Sequence, residues 1–264
     1  MAIRVVVSGT GNMGREVLVG VARESDMEPV GVLEKFSTED TIELPGDAAA
    51  VPLSADPAAL LERVQPDVII DFTNADWTPL VVDAALERGV RLVIGTTGLS
   101  DAWLDELDAR SRERGVGVVV AANFAIGAVL LIHMAKVASR FFDAAEVIEL
   151  HHDRKVDAPS GTALTTVREM LAGRDGPFER NVPESETLAN TRAADVGGIT
   201  IHSVRLPGLV AHQEVIFGGQ GQTLTIRHDT TGRDSFIPGV LLATREVMER
   251  TELVRGLAEL VGLT

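Results

Sequence analysis

Ile3-Arg4-Val5-Val6-Val7-Ser8-Gly9-Thr10-Gly11-Asn12-Met13-Gly14 is a β-branched run that breaks into three spaced glycines. A short apolar run bounded by a turn signal reads as a buried strand. Arg15 to Arg23 is amphipathic and reads as a helix, and Met27 to Leu33 reads as a second strand that ends at Glu34. Strand, G-x-G-x-x-G, helix, strand and an acidic residue about 20 positions on is the order a dinucleotide site requires. Gly9 permits the tight turn, Gly11 lets the backbone approach a pyrophosphate, and Gly14 lets helix and strand pack closely. The glycine pattern alone would say little; its context decides. The expected cofactor contacts are Gly9, Thr10, Gly11, Asn12, Met13 and Gly14. Glu34 would accept hydrogen bonds from ribose hydroxyls, which favours NAD, whereas Lys35 beside it could meet the 2′-phosphate of NADP. The pair points to NADH and/or NADPH.

Working outward, Ser37 to Pro57 is turn-rich and acidic and reads as a surface excursion. Helical segments at 58–64 and 77–88, and one that starts at Ser100, then alternate with strands at 67–73, 91–94 and 116–120. Ser100 is a good helix N-cap, with Trp103, Leu104 and Leu107 turned inward. Such alternation predicts a parallel sheet with both faces covered, and ligands of such sheets bind beyond the strands' carboxyl ends. Three loops satisfy that: 9–14, 95–98 (Gly-Thr-Thr-Gly) and 121–124 (Ala-Ala-Asn-Phe). After the apolar helix Ile126 to Ser139 the alternation fades. Ala145 to Leu150 reads as a strand, Ser160 to Leu171 as a helix, and 173–198 as a long polar stretch. Ile199 to Leu206, Val210 to Phe217 and Thr223 to His228 read as an antiparallel meander, and Val240 to Met248 and Leu253 to Val261 as helices. The fold class is α/β: a Rossmann-type parallel-sheet domain over 1–125, then a second α+β domain with a mixed or antiparallel sheet over 126–235.

The chain has 264 residues, 24 Lys+Arg against 39 Asp+Glu, a formal charge of −15 and no cysteine. Disulfides and thiolate metal sites are excluded, and the basic footprint of a nucleic-acid binder is absent. No apolar run reaches the ~18 residues of a membrane span, and no signal peptide precedes the first strand, so cytoplasmic residence is expected. An acidic protein repels anionic ligands unless local positive charge overrides the field. That charge is concentrated at His151-His152-Asp153-Arg154-Lys155. Pro159-Ser160-Gly161-Thr162 follows, and a helix N-terminus there would present unpaired N–H groups to an anion. A small dianionic substrate suits this arrangement. The two histidines, read as consecutive on one strand, would point to opposite faces and so divide the work between one donor and one binder.

Glu149-Leu150-His151-His152-Asp153-Arg154-Lys155-Val156-Asp157-Ala158-Pro159-Ser160-Gly161-Thr162-Ala163 resembles the signature of the 4-hydroxy-tetrahydrodipicolinate (dihydrodipicolinate) reductase family. Asp71-Phe72-Thr73, Gly-Thr-Thr-Gly, Ala-Asn-Phe and Val210-Ala211-His212-Gln213-Glu214 extend the likeness along the chain. The glycine loop is one residue shorter than the G-x-x-G-x-x-G spacing common in that family. The resemblance implies reduction of an unsaturated nitrogen heterocycle with two carboxylates, in lysine and diaminopimelate biosynthesis. It makes His151 the general acid, Lys155 its cationic partner, His152 a substrate-binding residue, and Ser160, Gly161 and Thr162 the carboxylate cradle. It assigns Gly95, Thr96, Thr97, Ala121, Ala122, Asn123 and Phe124 to the nicotinamide end. It also implies a homotetramer, and a tail (236–264) that returns to the nucleotide domain. The chemistry agrees: hydride addition to a conjugated imine develops negative charge, which a protonated His or Lys stabilises. Other readings are another NAD(P)-dependent oxidoreductase of small amino or keto acids, a non-catalytic dinucleotide-binding regulator, and a metal hydrolase. The last lacks helical ligand spacing, and no metal site is expected.

Overall fold

The computed structural model describes residues 1–44, 49–180, 186–188 and 191–263. Parts of the turn-rich excursion (45–48) and of the long polar stretch (181–185, 189–190) lie outside the described residues. The chain divides into two compact units, Met1–Phe124 with the segment from Phe236 onward, and Ala125–Ser235.

In the first unit the strands are β1 (Ile3–Ser8), β2 (Met27–Leu33), β3 (Thr41–Ile42), β4 (Val51–Ser54), β5 (Val68–Asp71), β6 (Arg91–Ile94) and β7 (Val118–Val120). Helices α1 (Asn12–Arg23), α2 (Pro57–Val64), α3 (Thr78–Glu87) and α4 (Asp101–Arg114) alternate with them. Val5, Val6, Val7, Ile69, Ile70, Leu92 and Val93 are almost wholly buried, as expected of strands covered on both faces. A fully buried Val or Ile contributes about 1.5–3 kcal/mol, so this sheet anchors the unit. Ser100 caps α4 as expected, accepting from the Trp103 N–H at 3.2 Å.

The chain leaves the second unit's strands to add α7 (Ile237–Glu246) and β13 (Leu253–Arg255) to the first. The full order is β13-β7-β6-β5-β1-β2-β4-β3, parallel except for β3 against β4. Direction along the sheet reverses at β1, between β5 and β2. Crevices at such switch points hold ligands.

Two expectations for this unit are corrected. Val51–Ser54 is a strand parallel to β2, although Pro52 and the acidic context read as loop. Leu253 to Val261 is not a helix: its first residues pair in parallel with the edge of β7, and only Glu259–Val261 forms a 3-10 turn. Exposed ion pairs to α4 flank that strand, Arg112–Glu252 at 2.5 Å and Arg255–Asp105 at 2.7 Å.

The second unit contains α5 (Ile126–Ala138), β8 (Ala144–His151), α6 (Gly161–Ala172), β9 (Ala194–Val196), β10 (Ile199–Arg205), β11 (Ala211–Gly219) and β12 (Gln222–Thr230). Its sheet has the order β12-β11-β8-β10-β9. The expected meander is therefore wrong in part. β11 and β12 do form a hairpin, but β8 lies between β10 and β11, parallel to the former and antiparallel to the latter. Loop 206–210 arches over the end of β8, with the Leu206 N–H donating to the His151 carbonyl at 3.1 Å. Val147, Val215, Phe217, Ile199 and Ile201 pack with α5 and α6 into this unit's core. Among the described residues, no helix is long and apolar enough to cross a membrane.

Candidate active site

The glycine loop occupies the switch point of the first unit. Gly9 has φ of 101°, in the region that favours glycine, and a Cβ there would meet Thr73 Cγ2 at 3.0 Å. A Cβ on Gly14 would lie 1.8 Å from the Gly9 carbonyl oxygen. Around the Cβ position of Gly11, by contrast, no atom lies within 4 Å, so the backbone is open to a ligand. No side chain caps α1 at Gly11, which leaves first-turn N–H groups for an anion.

Glu34 Oε2 accepts from both the N–H and the hydroxyl of Thr10, at 2.9 and 2.6 Å. Burial pushes this carboxyl up, but the Thr10 bonds and the Phe36 and Lys35 N–H groups hold it below its ordinary value. A cavity of about 190 Å³ borders Gly9, Gly11, Glu34, Lys35, Phe72 and Asn74. Lys35 is exposed, its ammonium 5.6 Å from the Phe36 ring centre. The β5 exit (72–74) was not among the loops expected from sequence; only its place at the switch point reveals it.

Asp71, 0% exposed, holds the neighbouring loops together. It accepts from the hydroxyls of Thr73 (2.8 Å), Thr78 (2.5 Å) and Thr96 (2.9 Å). Thr96 Oγ1 also accepts from the Thr73 N–H at 3.0 Å, which joins the exits of β5 and β6. Phe72 and Phe124 pack at a tilt of 55° with centres 5.4 Å apart, and a Cβ on Gly95 would strike the Phe72 ring at 2.1 Å. Loops 95–98 and 121–124 thus converge beside 72–74. Thr96, Ala121 and Phe124 bury their side chains in this scaffold and offer only backbone, whereas Thr97 and Ala122 are exposed.

In the second unit, β8 ends at His151, so His152 lies just beyond the strand rather than on it. His152 Nδ1 is buried and has no partner among the described residues. His151 Nδ1 donates to Glu149 Oε2 at 2.5 Å; a carboxylate can only accept, so Nδ1 carries the hydrogen and Nε2 is left for exchange. Arg205, in register with His151 on β10, closes on both Glu149 oxygens at 2.8 and 3.0 Å. Lys155 pairs with Asp157 at 2.8 Å. Ser160 caps α6, its Oγ accepting from Ala163 N–H at 3.2 Å. The first two N–H groups of α6, on Gly161 and Thr162, precede any intrahelical partner, and the Cβ position of Gly161 is open. Gln213, opposite Glu149 on β11, donates to Thr166 of α6 at 2.7 Å. Sequence reasoning missed Arg205 and Gln213, because the strand order that brings them to Glu149 was misread.

Burial would raise the Glu149 carboxyl, but hydrogen bonds from His151, Arg205 and Ser203 bring it from 4.5 down to about 2. Its folded value lies below its unfolded one. Its stabilisation is therefore complete above the ordinary carboxylate range and is lost as pH falls from about 4.5 toward about 2. That shift corresponds to roughly 3 kcal/mol. In urea unfolding at pH 7 and pH 3, Glu149→Gln should lose less stability between the two than the parent protein. An equal loss would show that this carboxyl is not the source.

Comparison with known proteins places these residues in context. The family model described as "Dihydrodipicolinate reductase, N-terminus" matches residues 3–124, and its C-terminal counterpart matches 127–261. The 4-hydroxy-tetrahydrodipicolinate reductase of Dehalococcoides mccartyi is 47% identical over 262 residues, covering 99% of each chain. That of Moorella thermoacetica is 48% identical over 262 residues, covering 98% of each. The dipicolinate-bound dihydrodipicolinate reductase from Paenisporosarcina sp. superposes with a TM-score of 0.89 at 41% identity, over 98% of this chain and 99% of that one. An amine dehydrogenase from Mycobacterium smegmatis, at 14% identity and a TM-score of 0.65, shares the fold alone. With both halves matched and full-length relatives near half identity, the chain belongs to the dihydrodipicolinate reductase family.

Proposed function

We propose that this enzyme reduces 4-hydroxy-tetrahydrodipicolinate (dihydrodipicolinate) to tetrahydrodipicolinate with NADH or NADPH, in the biosynthesis of lysine and diaminopimelate. The observation that carries this reading is the buried Glu149 holding His151 as a proton donor, joined through Arg205 to the segment that leads into the open start of α6. Family membership supplies the reaction class.

The first unit fits a pyridine dinucleotide: the open backbone at Gly11 and the uncapped start of α1 suit the pyrophosphate, and Glu34 suits the adenosine ribose. When bound, the cofactor supplies hydride from C4 of its nicotinamide. In this reading Gly9 to Gly14 hold the nucleotide's pyrophosphate, and Glu34 and Lys35 its adenosine ribose. Gly95, Thr97, Ala122 and Asn123 flank the nicotinamide, on a scaffold made by Thr96, Ala121 and Phe124. Gly161, Thr162 and the Ser160 hydroxyl receive one substrate carboxylate, and His152 and Lys155 the other. His151 Nε2 delivers the proton while the Lys155 cation stabilises charge developing on the ring.

The Thr10 clamp keeps Glu34 anionic where a 2′-phosphate would sit, so we place NADH ahead of NADPH. The open face of the second sheet carries Ile148, Leu150, Val204 and Ile216, half-buried in one chain, and supports a homotetramer. We place the enzyme in the cytoplasm.

Nicotinamide absorbance tests the reading directly. Substrate is generated in situ from pyruvate and aspartate semialdehyde by the upstream synthase, and each cofactor is tested separately. Substrate-dependent oxidation with NADH, slower with NADPH, is expected. Glu34→Gln should shift the ratio of affinities toward NADPH several-fold. Cofactor binding without oxidation would move the assignment to another dehydrogenase.

A further inference from the structure

Arg205 lies far from the histidine block in sequence, yet its guanidinium touches both ends of it. One edge closes on the two oxygens of Glu149, which in turn holds His151 Nδ1. Nη2 also donates to the Asp157 carbonyl at 2.6 Å, and the Asp157 carboxylate pairs with Lys155. Nη1 donates to the Val204 carbonyl of its own strand at 2.8 Å. One planar cation therefore ties the strand that carries the imidazole to the loop that carries the ammonium and runs into α6.

We propose that Arg205 and Glu149 are positioning residues for proton transfer, resting on the reading of His151 as donor. The pair fixes His151 with hydrogen on Nδ1 and holds loop 152–159 in register with it. The physical reason lies in what each group can accept. An ionised Glu149 accepts only, so the imidazole keeps its Nδ1 hydrogen before and after it gives up a proton from Nε2. If Arg205 were lost, Glu149 would be left to His151 and Ser203 with no fixed cation to answer it, and its carboxyl would take up a proton more readily. A protonated Glu149 can itself donate to Nδ1, which puts the neutral ring's hydrogen on Nε2, the wrong nitrogen. Lysine cannot replace the fork, because a point cation does not span both carboxylate oxygens and the Asp157 carbonyl.

Glu149→Gln and Arg205→Lys in the full-length enzyme test this against His151→Gln. The measurements are kcat, NADH dissociation constant, and the ¹⁵N spectrum of histidine-labelled protein, with His151 assigned by its loss in His151→Gln. Both variants should lower kcat about 10–100-fold, the cost typical of removing a partner that orients a metal-bound imidazole. NADH affinity should stay unchanged, and the His151 signal should move from a single Nδ1–H form to a mixture of tautomers. In Glu149→Gln one carboxylate oxygen becomes an NH2 group, which cannot accept, so the remaining oxygen cannot answer His151, both Arg205 nitrogens and Ser203 together. If both variants keep kcat within twofold and an unshifted His151 resonance while His151→Gln loses turnover about 100-fold or more, the positioning role is overturned. Normal turnover by His151→Gln would overturn the donor assignment, and with it this role.

Discussion

Replacing His151 with Gln is expected to lower kcat by about 10²–10⁴-fold, the span a positioned general acid contributes, while NADH affinity stays within twofold. The side chain keeps its place in the β8 register, and its amide can still donate to Glu149. It has no proton to give at neutral pH. The Lys155 cation remains to stabilise charge, so a residual rate should survive rather than total inactivity. Single-turnover mixing of enzyme–NADH with substrate separates this chemical step from product release. A variant with the parental single-turnover rate would remove His151 from the mechanism and leave Lys155 as the donor to test next.

Asp71→Ala should be the most damaging single change in the first unit that leaves its apolar core untouched. The carboxylate answers the hydroxyls of Thr73, Thr78 and Thr96, and hydrogen bonds to charged groups are worth about 1.5–3 kcal/mol each. Partial relaxation and mutual bonding of the threonines reduce the sum, so a net loss of about 4 kcal/mol is expected. In a protein this size that lowers Tm by roughly 10 °C. The loops at β5 and β6 should also lose their fixed spacing, and NADH affinity should fall with stability. Calorimetry showing Tm within about 2 °C of the parent would mean that the threonines find other partners and that Asp71 is dispensable as a hub.

What was legible in the sequence follows the physics of burial. β1, β5 and β6 are covered on both faces and read as apolar runs, and the G-x-G-x-x-G context placed the glycine loop between β1 and α1 without help from tertiary structure. β4 was missed because Pro52 and acidic neighbours mask a strand that sits near the sheet's edge, where proline is tolerated. β13 was missed because three residues cannot declare a strand; the open edge of β7 makes them one. The histidine block could be read as a unit because its residues are contiguous, but its support could not. Arg205 and Gln213 reach Glu149 only through the order β11-β8-β10, and a Pro-Gly turn between β10 and β11 looks from sequence like an ordinary hairpin.

The return of the chain to β7 has a consequence for biosynthesis on the ribosome. β13 follows the entire second unit in sequence, so residues 125–235 leave the exit tunnel before the first sheet can receive its last strand. Until then β7 presents an unpaired edge, which is a template for pairing with another nascent chain. The second unit meets no such delay once β12 has emerged, because all five of its strands are contiguous in that stretch. The half that binds nucleotide is begun first and finished last, and a translational pause placed after β12 would lengthen the interval in which it is open to aggregation.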